Sequence, residues 1–326
     1  MSCSAGFLKD ATYIMNIVFM GSAQFGIPAL EKILQRGHII KGIVSTPAKE
    51  KGRGLKIADS PVVEFAAKNG ISPVLTPQNL KSPEFVDSLK KIQADLFVVV
   101  AFRILPREVF NIPSLGTINI HAALLPKYRG PAPIQRAIEA GEKKTGITIF
   151  RIDDGIDTGN IILKKETAIG DFETAPDLYD RLSILGAEGL MEALDNLSNN
   201  TVSYSRQEHA GATAAPKLLK AEGNIDWRMS ARTIFNKIRA FKPFPGTYTF
   251  FNGKRLNVEW AEPVDIVGQN KPGEIFSTDA NGFNVQCGEG GIRILEVKPE
   301  GKKSMSAGSF LAGRKIIPSA CFDMPA

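Results

Sequence analysis

From Asn16 onward, short apolar runs alternate with longer segments of helical period: NIVFM then IPALEKILQRG, HIIKGIVST then SPVVEFAAKNG, EFVDSLKKIQA then DLFVVVAF. Strands that alternate with helices, bounded by glycine, pair in parallel, because parallel neighbours need a crossover long enough to return along the sheet. The run DLFVVVAF, residues 95–102, is apolar at successive positions, so both of its faces must be covered and it belongs at the sheet centre. The expected class is α/β: a Rossmann-like, mainly parallel sheet with helices on both faces. In such open sheets ligands bind beyond the carboxyl ends of the strands, which is where Phe102 and the segment 119–126 fall.

TGITIFRID and NIILKKETAI read as further strands, followed by a helix through APDLYDRLSILGAEGLMEALDNL. The pattern then breaks. SYSRQEHAGATAAPKLLKAEG is polar, with the Gly, Ala, Pro and Lys content of a connector. Beyond it a short helix, SARTIFNKIRAF, precedes RLNVEW, GEIFST, FNVQCG and GIRILEVKP, strands about ten residues apart with Gly-rich turns that predict a small antiparallel barrel. The expected division is an N-terminal extension at 1–14, a main domain at 15–203, a linker at 204–222 and a barrel domain at 223–326. Met15 stands directly before the first strand and marks the expected functional start.

The chain has 326 residues, 43% of them hydrophobic, enough to bury a sizeable core. No apolar run approaches the roughly 20 residues that span a bilayer, and MSCSAGFLKDATYI lacks the charged front and apolar centre of a secretory signal. Cys3, Cys287 and Cys321 show neither CxxC nor Cys/His ligand spacing, so a reducing cytoplasm is expected, without a disulfide framework or a metal site. The net charge of +6 is uneven: from Pro216 to the end there are 16 Lys plus Arg against 11 Asp plus Glu, or five of the six charges. A basic domain beside a nearly neutral one suits either a polyanionic partner or an ordinary charged surface.

Four stretches carry candidate chemistry. GSAQFG has two glycines where a dinucleotide fingerprint needs GxGxxG, so Gly21 and Gly26 are expected to form a tight strand-to-helix turn. STPAKEKGRG, residues 45–54, brings Lys49, Lys51 and Arg53 into one loop, either solvated or in contact with phosphates. Asn119 and His121 are two apart on a strand and so share a face, where an amide and an imidazole can polarise a carbonyl and move a proton. The rival for His121 is a structural strand histidine. DDGIDTGNII, residues 153–162, holds three carboxylates and two glycines; the glycines are expected to take positive φ and direct one aspartate to orient an imidazole. Calcium is the rival there, but the EF-hand spacing is missing.

NIHAALLPKYRGPAPIQRAI together with GIDTGNI resembles the folate-dependent formyltransferases, whose signature is Asn-x-His, a Ser-Leu-Leu-Pro loop and a later Asp. The RGPAPIQ extension, the basic loop ending GRG, and NIDW, IRAFKPFPGTY and VKPEGKKSMSAGSFLAG resemble the branch that formylates methionyl-tRNA. The likeness runs from about Met15 to Lys315 and includes a basic C-terminal domain that the shorter purine-pathway enzyme lacks. It implies Asn119, His121 and Asp157 as catalytic residues, Ala123, Leu124, Leu125 and Pro126 as the folate loop, and Lys49, Lys51 and Arg53 as contacts to tRNA. It also implies 10-formyltetrahydrofolate as formyl donor without a metal, methionyl initiator tRNA as acceptor, and an OB-like C-terminal domain that holds the tRNA. One departure is Ala123 where the family has Ser, which removes a possible hydrogen bond worth about 0.5–1.5 kcal/mol. A sugar-nucleotide N-formyltransferase, a 10-formyltetrahydrofolate hydrolase and an RNA-binding protein with a decayed folate site are the alternatives.

Overall fold

The computed structural model describes residues 13–51, 56–265, 270–312 and 320–323. Along the chain lie β1 (Asn16–Gly21), α1 (Ile27–Gln35), β2 (Ile39–Val44), β3 (Lys49–Lys51), β4 (Lys56–Ala58), α2 (Pro61–Lys68), β5 (Val74–Leu75) and α3 (Pro83–Ile92). Then come β6 (Leu96–Val100), α4 (Arg107–Phe110), β7 (Thr117–His121), α5 (Pro133–Glu139), β8 (Lys144–Arg151), β9 (Ile161–Ala168) and α6 (Ala175–Ser198). Seven strands make one sheet in the order β5, β2, β1, β6, β7, β8, β9. The first five run parallel, and β8 returns antiparallel to β7. All five residues of β6 are buried, as its unbroken apolar sequence demands.

Local chemistry starts the flanking helices where the sequence calls for them. Ser60 and Ser82 each accept a hydrogen bond from a first-turn amide, Val63 N–H and Phe85 N–H, and a proline follows each cap at the first helical position. The turn after β1 is equally determined: a Cβ on Gly21 would lie 2.7 Å from the Val100 carbonyl oxygen, and one on Gly26 would lie 2.9 Å from the Phe19 ring. These glycines let the strand and its turn close on β6, the role expected of them.

The chain divides into two units: residues up to Arg129 with Gly146–Glu166 and Asp180–Thr213, and Gly130–Thr145 with Thr167–Tyr179 and residues from Ala214 onward. The expected connector is therefore shared between them, and its first part pairs with the sheet through an Ile161–Ser205 bridge. The second unit contains α5, α7 (Ala231–Ala240), β10 (Thr247–Phe251), β11 (Lys254–Val264), β12 (Ile275–Thr278), β13 (Phe283–Gln286), β14 (Gly291–Pro299), β15 (Met305–Ser306) and α8 (Ala307–Ala312). Its strands are antiparallel in the order β10, β11, β14, β13, β12, with β15 on β14.

β10 and β12 stand at opposite ends of that order, and residues 320–323 link them. Ile275 N–H donates to Ala320 O (2.8 Å), Phe322 N–H to Gly273 O (2.9 Å) and Asp323 N–H to Phe250 O (2.9 Å), so backbone hydrogen bonds run from one edge to the other as in a small barrel. Phe322 fills the interior behind this link, stacked on Trp227 at 5.2 Å between ring centroids and edge-on to Phe251 at 5.6 Å. Trp227 Nε1–H finds its partner in Thr249 Oγ1 at 3.0 Å.

One expectation changes. The basic stretch 45–54 is no plain loop: β3 and β4 form an antiparallel hairpin of their own, with Lys49 opposite Ala58 and Lys51 opposite Lys56. Arg53 and the N-terminal residues 1–12 lie outside the described residues. Among the described residues no helix is long and apolar enough to cross a membrane. Phe322, 2% exposed, is the side chain on which the barrel closure rests. Phe322→Ala should lower stability by about 3–5 kcal/mol, read from urea unfolding followed by Trp227 fluorescence.

Candidate active site

β7 lies between β6 and β8, so its two faces are set by period two: Ile118 and Ile120 are buried on one side, and Thr117, Asn119 and His121 share the other. The Asn119 side-chain amide makes no hydrogen bond among the described residues. His121 ends the strand, 6% exposed, and its Nε2–H donates to the Tyr128 carbonyl at 2.9 Å. A carbonyl oxygen can only accept, so that bond assigns a proton to Nε2. Nδ1 then faces Asp157 Oδ2 at 3.6 Å, slightly beyond hydrogen-bond length.

Asp157 sits in the loop between β8 and β9, and its geometry corrects one expectation. Left-handed backbone falls on Asp157 itself, at φ 53°, while Gly155 and Gly159 are not among the positive-φ glycines. Those glycines are required for close approach instead: a Cβ would lie 2.1 Å from Thr158 Oγ1 at Gly155 and 1.7 Å from the Arg151 carbonyl oxygen at Gly159. A short polar side chain makes aspartate one of the few non-glycine residues suited to that conformation. The three carboxylates have separate tasks. Asp153 Oδ1 accepts from Gly155 N–H (3.1 Å) and Thr158 Oγ1–H (2.6 Å) and so ties the turn. Asp154 pairs with Arg107, a guanidinium that holds its carboxyl below the usual range, and only Asp157 faces the imidazole. No group of three or more His, Cys, Asp or Glu among the described residues could hold a metal ion.

The segment Ala123–Pro126 follows β7 directly. Ala123 and Leu125 have no exposed surface, so only the half-buried Leu124 and Pro126 offer side chains to a ligand. The missing serine hydroxyl at Ala123 thus concerns a position inside the protein. Buried Thr148, opposite His121 on β8, holds the segment: its Oγ1–H donates to Ala123 O (2.7 Å) and accepts from Leu125 N–H (3.1 Å). A cleft of about 530 Å³ opens between residues 78–81 and 103–108, past the ends of β5 and β6. Arg103 Nη2–H and Nη1–H donate to Pro77 O (2.7 Å) and Gln78 O (3.1 Å) at this cleft.

Thr148, Arg129 and Gln207 were not singled out from the sequence. Gln207, 3% exposed, bonds both Arg129 and the Asp157 loop. It sits in a polar connector whose composition carries no sign of burial. Lys49 and Lys51 lie on β3, in the hairpin that follows the carboxyl end of β2.

A mainly parallel sheet with an asparagine and a histidine at one strand end, an aspartate facing the imidazole, and an antiparallel C-terminal barrel has the layout of a formyltransferase. Residues 15–194 match the formyl transferase family, and residues 217–315 match its C-terminal domain. The methionyl-tRNA formyltransferase of Caldanaerobacter subterraneus subsp. tengcongensis is 43% identical over 304 residues, covering 93% of this chain and 98% of that protein. This chain belongs to the methionyl-tRNA formyltransferase family. Two more distant structures share the fold. An N-formyltransferase from Helicobacter canadensis, in complex with folinic acid and dTDP-3-aminofucose, superposes with a TM-score of 0.65 at 21% identity over 86% of this chain and 99% of that one. HypX from Aquifex aeolicus in complex with tetrahydrofolic acid does so with a TM-score of 0.63 at 18% identity, over 96% of this chain and 51% of that one.

Thr148→Val keeps the shape of the side chain but leaves the Ala123 carbonyl and the Leu125 N–H unpaired inside the protein. It should cost about 1–3 kcal/mol of stability, measured by urea titration.

Proposed function

We propose that this chain transfers the formyl group of 10-formyltetrahydrofolate to the α-amine of methionine esterified to initiator tRNA. The observation that carries it is the facing of His121 Nδ1 and Asp157 Oδ2 at 3.6 Å beside Asn119, whose amide is uncommitted among the described residues. The relatives' name and the folate ligands in structures of the same fold support the substrates.

The bound folate supplies the formyl carbon, and the chain's residues manage charge and protons around it. An α-amine, with a reference pKa near 7.7–8.0, is already partly neutral at cellular pH and needs little activation. Negative charge that grows on the formyl oxygen is met by the Asn119 amide N–H, since His121 Nε2–H is already given to Tyr128 O. The pair His121 and Asp157 handles the proton. Asp157 takes it from the amine as the new C–N bond forms, His121 Nδ1 faces the protonated carboxyl as an acceptor, and the proton passes to the folate nitrogen that leaves as its bond to the formyl carbon breaks.

For the acceptor, the last third of the chain, from Pro216 onward, carries five of the six net positive charges. Arg255 stacks over Tyr248 at 3.8 Å and Lys242 over Trp260 at 4.8 Å, cations arranged with aromatic faces as at surfaces that meet nucleic acid. That charge favours tRNA over an amino-sugar nucleotide as the amine donor.

Asn119→Ala should lower kcat by about 100-fold or more, because losing one oxyanion donor typically costs that much, and His121→Ala by about 100-fold or more, because a positioned proton-transfer group contributes about that much, each with the fold retained by thermal unfolding. Near-normal turnover in both would refute the assignment. A second expectation concerns salt. Raising it from about 50 to 200 mM should reduce kcat/KM for methionyl-tRNA by about tenfold or more, as phosphate contacts are screened. A flat response would exclude a large RNA acceptor.

A further inference from the structure

Gln207 uses every polar atom of its side chain within the protein. Nε2 donates to two carbonyls of the β8–β9 loop, Asp157 O at 2.9 Å and Gly159 O at 2.8 Å. Oε1 accepts from Arg129, at 2.7 Å from Nη2 and 3.2 Å from Nε. A primary amide has two N–H donors and one oxygen, so nothing is left over for solvent. Arg129 is the residue after Tyr128, whose carbonyl fixes His121, and the backbone amides of Tyr128 and Arg129 are themselves anchored on Thr213 Oγ1 and Thr213 O, both at 2.8 Å. One buried amide therefore ties the loop that orients the imidazole to the loop that presents the carboxylate.

Both loops need such a tie. Asp157 and Tyr128 take left-handed backbone, φ 53° and 60°, a conformation that costs free energy for non-glycine residues and persists where the surroundings hold it. The two bonds from Gln207 land on either side of Thr158, on the carbonyls that follow Asp157 and Gly159, and so fix the turn by which Asp157 is aimed. The side chain touches no reacting atom.

We propose that Gln207 is a positioning residue for formyl transfer, acting by setting the separation of His121 Nδ1 from Asp157 Oδ2. The proposal rests on the assignment of those two residues to the reaction. A misplacement of about 1 Å in a catalytic group can cost about 100-fold in rate. A bidentate tie of this kind controls displacements on that scale.

Gln207→Glu separates positioning from general stability. It keeps an oxygen for Arg129, now as an ion pair, but has no N–H for the Asp157 and Gly159 carbonyls. In the full chain it should lower kcat by about 10- to 100-fold while the KM values for donor and methionyl-tRNA move by less than about threefold. The same substitution should cost less than about twofold in an Asp157→Asn background, where the group it acts through is already lost, and its full factor in an Asn119→Ala background. Gln207→Ala, which removes all the bonds without adding charge, is measured in the same backgrounds and replaces the glutamate variant if that one does not fold.

A loss below about twofold in wild type, or an equal loss in the Asp157→Asn background, overturns the positioning role. If Asp157→Asn alone retains turnover, the catalytic assignment falls and the role of Gln207 falls with it. If Asp157→Asn is impaired and the Gln207 variants are not, the failure belongs to Gln207 alone.

Discussion

The backbone hydrogen bonds that join β1, β6 and β7 in parallel are the constraint on which the rest of the main unit depends. These strands are apolar and buried, so their peptide groups have only one another as partners. Parallel pairing brings their carboxyl ends to one edge of the sheet. The residue after each strand end must then turn sharply within a small space, and the side chains of the site are gathered there.

The turns carry the cost of that arrangement. Ala101, directly after β6, Tyr128, in the loop after β7, and Asp157, in the loop after β8, are non-glycine residues at φ 47°, 60° and 53°. β6 and β7 thus each lead into a left-handed residue at their shared carboxyl edge, and the loop after antiparallel β8 contributes a third in Asp157, which faces His121. Backbone of this kind is held by bonds that over-determine it, and here these are side-chain bonds: Thr148 to Ala123 and Leu125, Asp153 to Gly155 and Thr158, Gln207 to Asp157 and Gly159. Side chains outside the proposed catalytic set thus hold its loops in place.

The second unit follows a different rule. An antiparallel sheet with free edges would expose unpaired peptide groups, and residues 320–323 satisfy them by bonding to both β10 and β12 strand regions. The same segment inserts Phe322 against Trp227. Closure and core therefore depend on one short stretch of chain. Burial also pushes the Cys287 thiol in this core up to about 12, which leaves it an inert apolar filler.

Much of this was legible in the residues themselves. The alternation of apolar runs and helical patterns predicted the sheet, and the i, i+2 spacing of Asn119 and His121 put them on one face, because strand and helix periods are local properties of the backbone. The short helices α4 and α5 and the strand β10 were not anticipated, being too short or too weakly patterned to stand out. The hairpin of β3 and β4 was hidden by its charge. Which aspartate of DDGIDTGNII faces His121, which backbone took positive φ, and that Gln207 is buried are decided only in the folded protein. Those outcomes depend on hydrogen bonds between residues far apart in the chain, such as Gln207 with Asp157, and no local period encodes a partner fifty residues away.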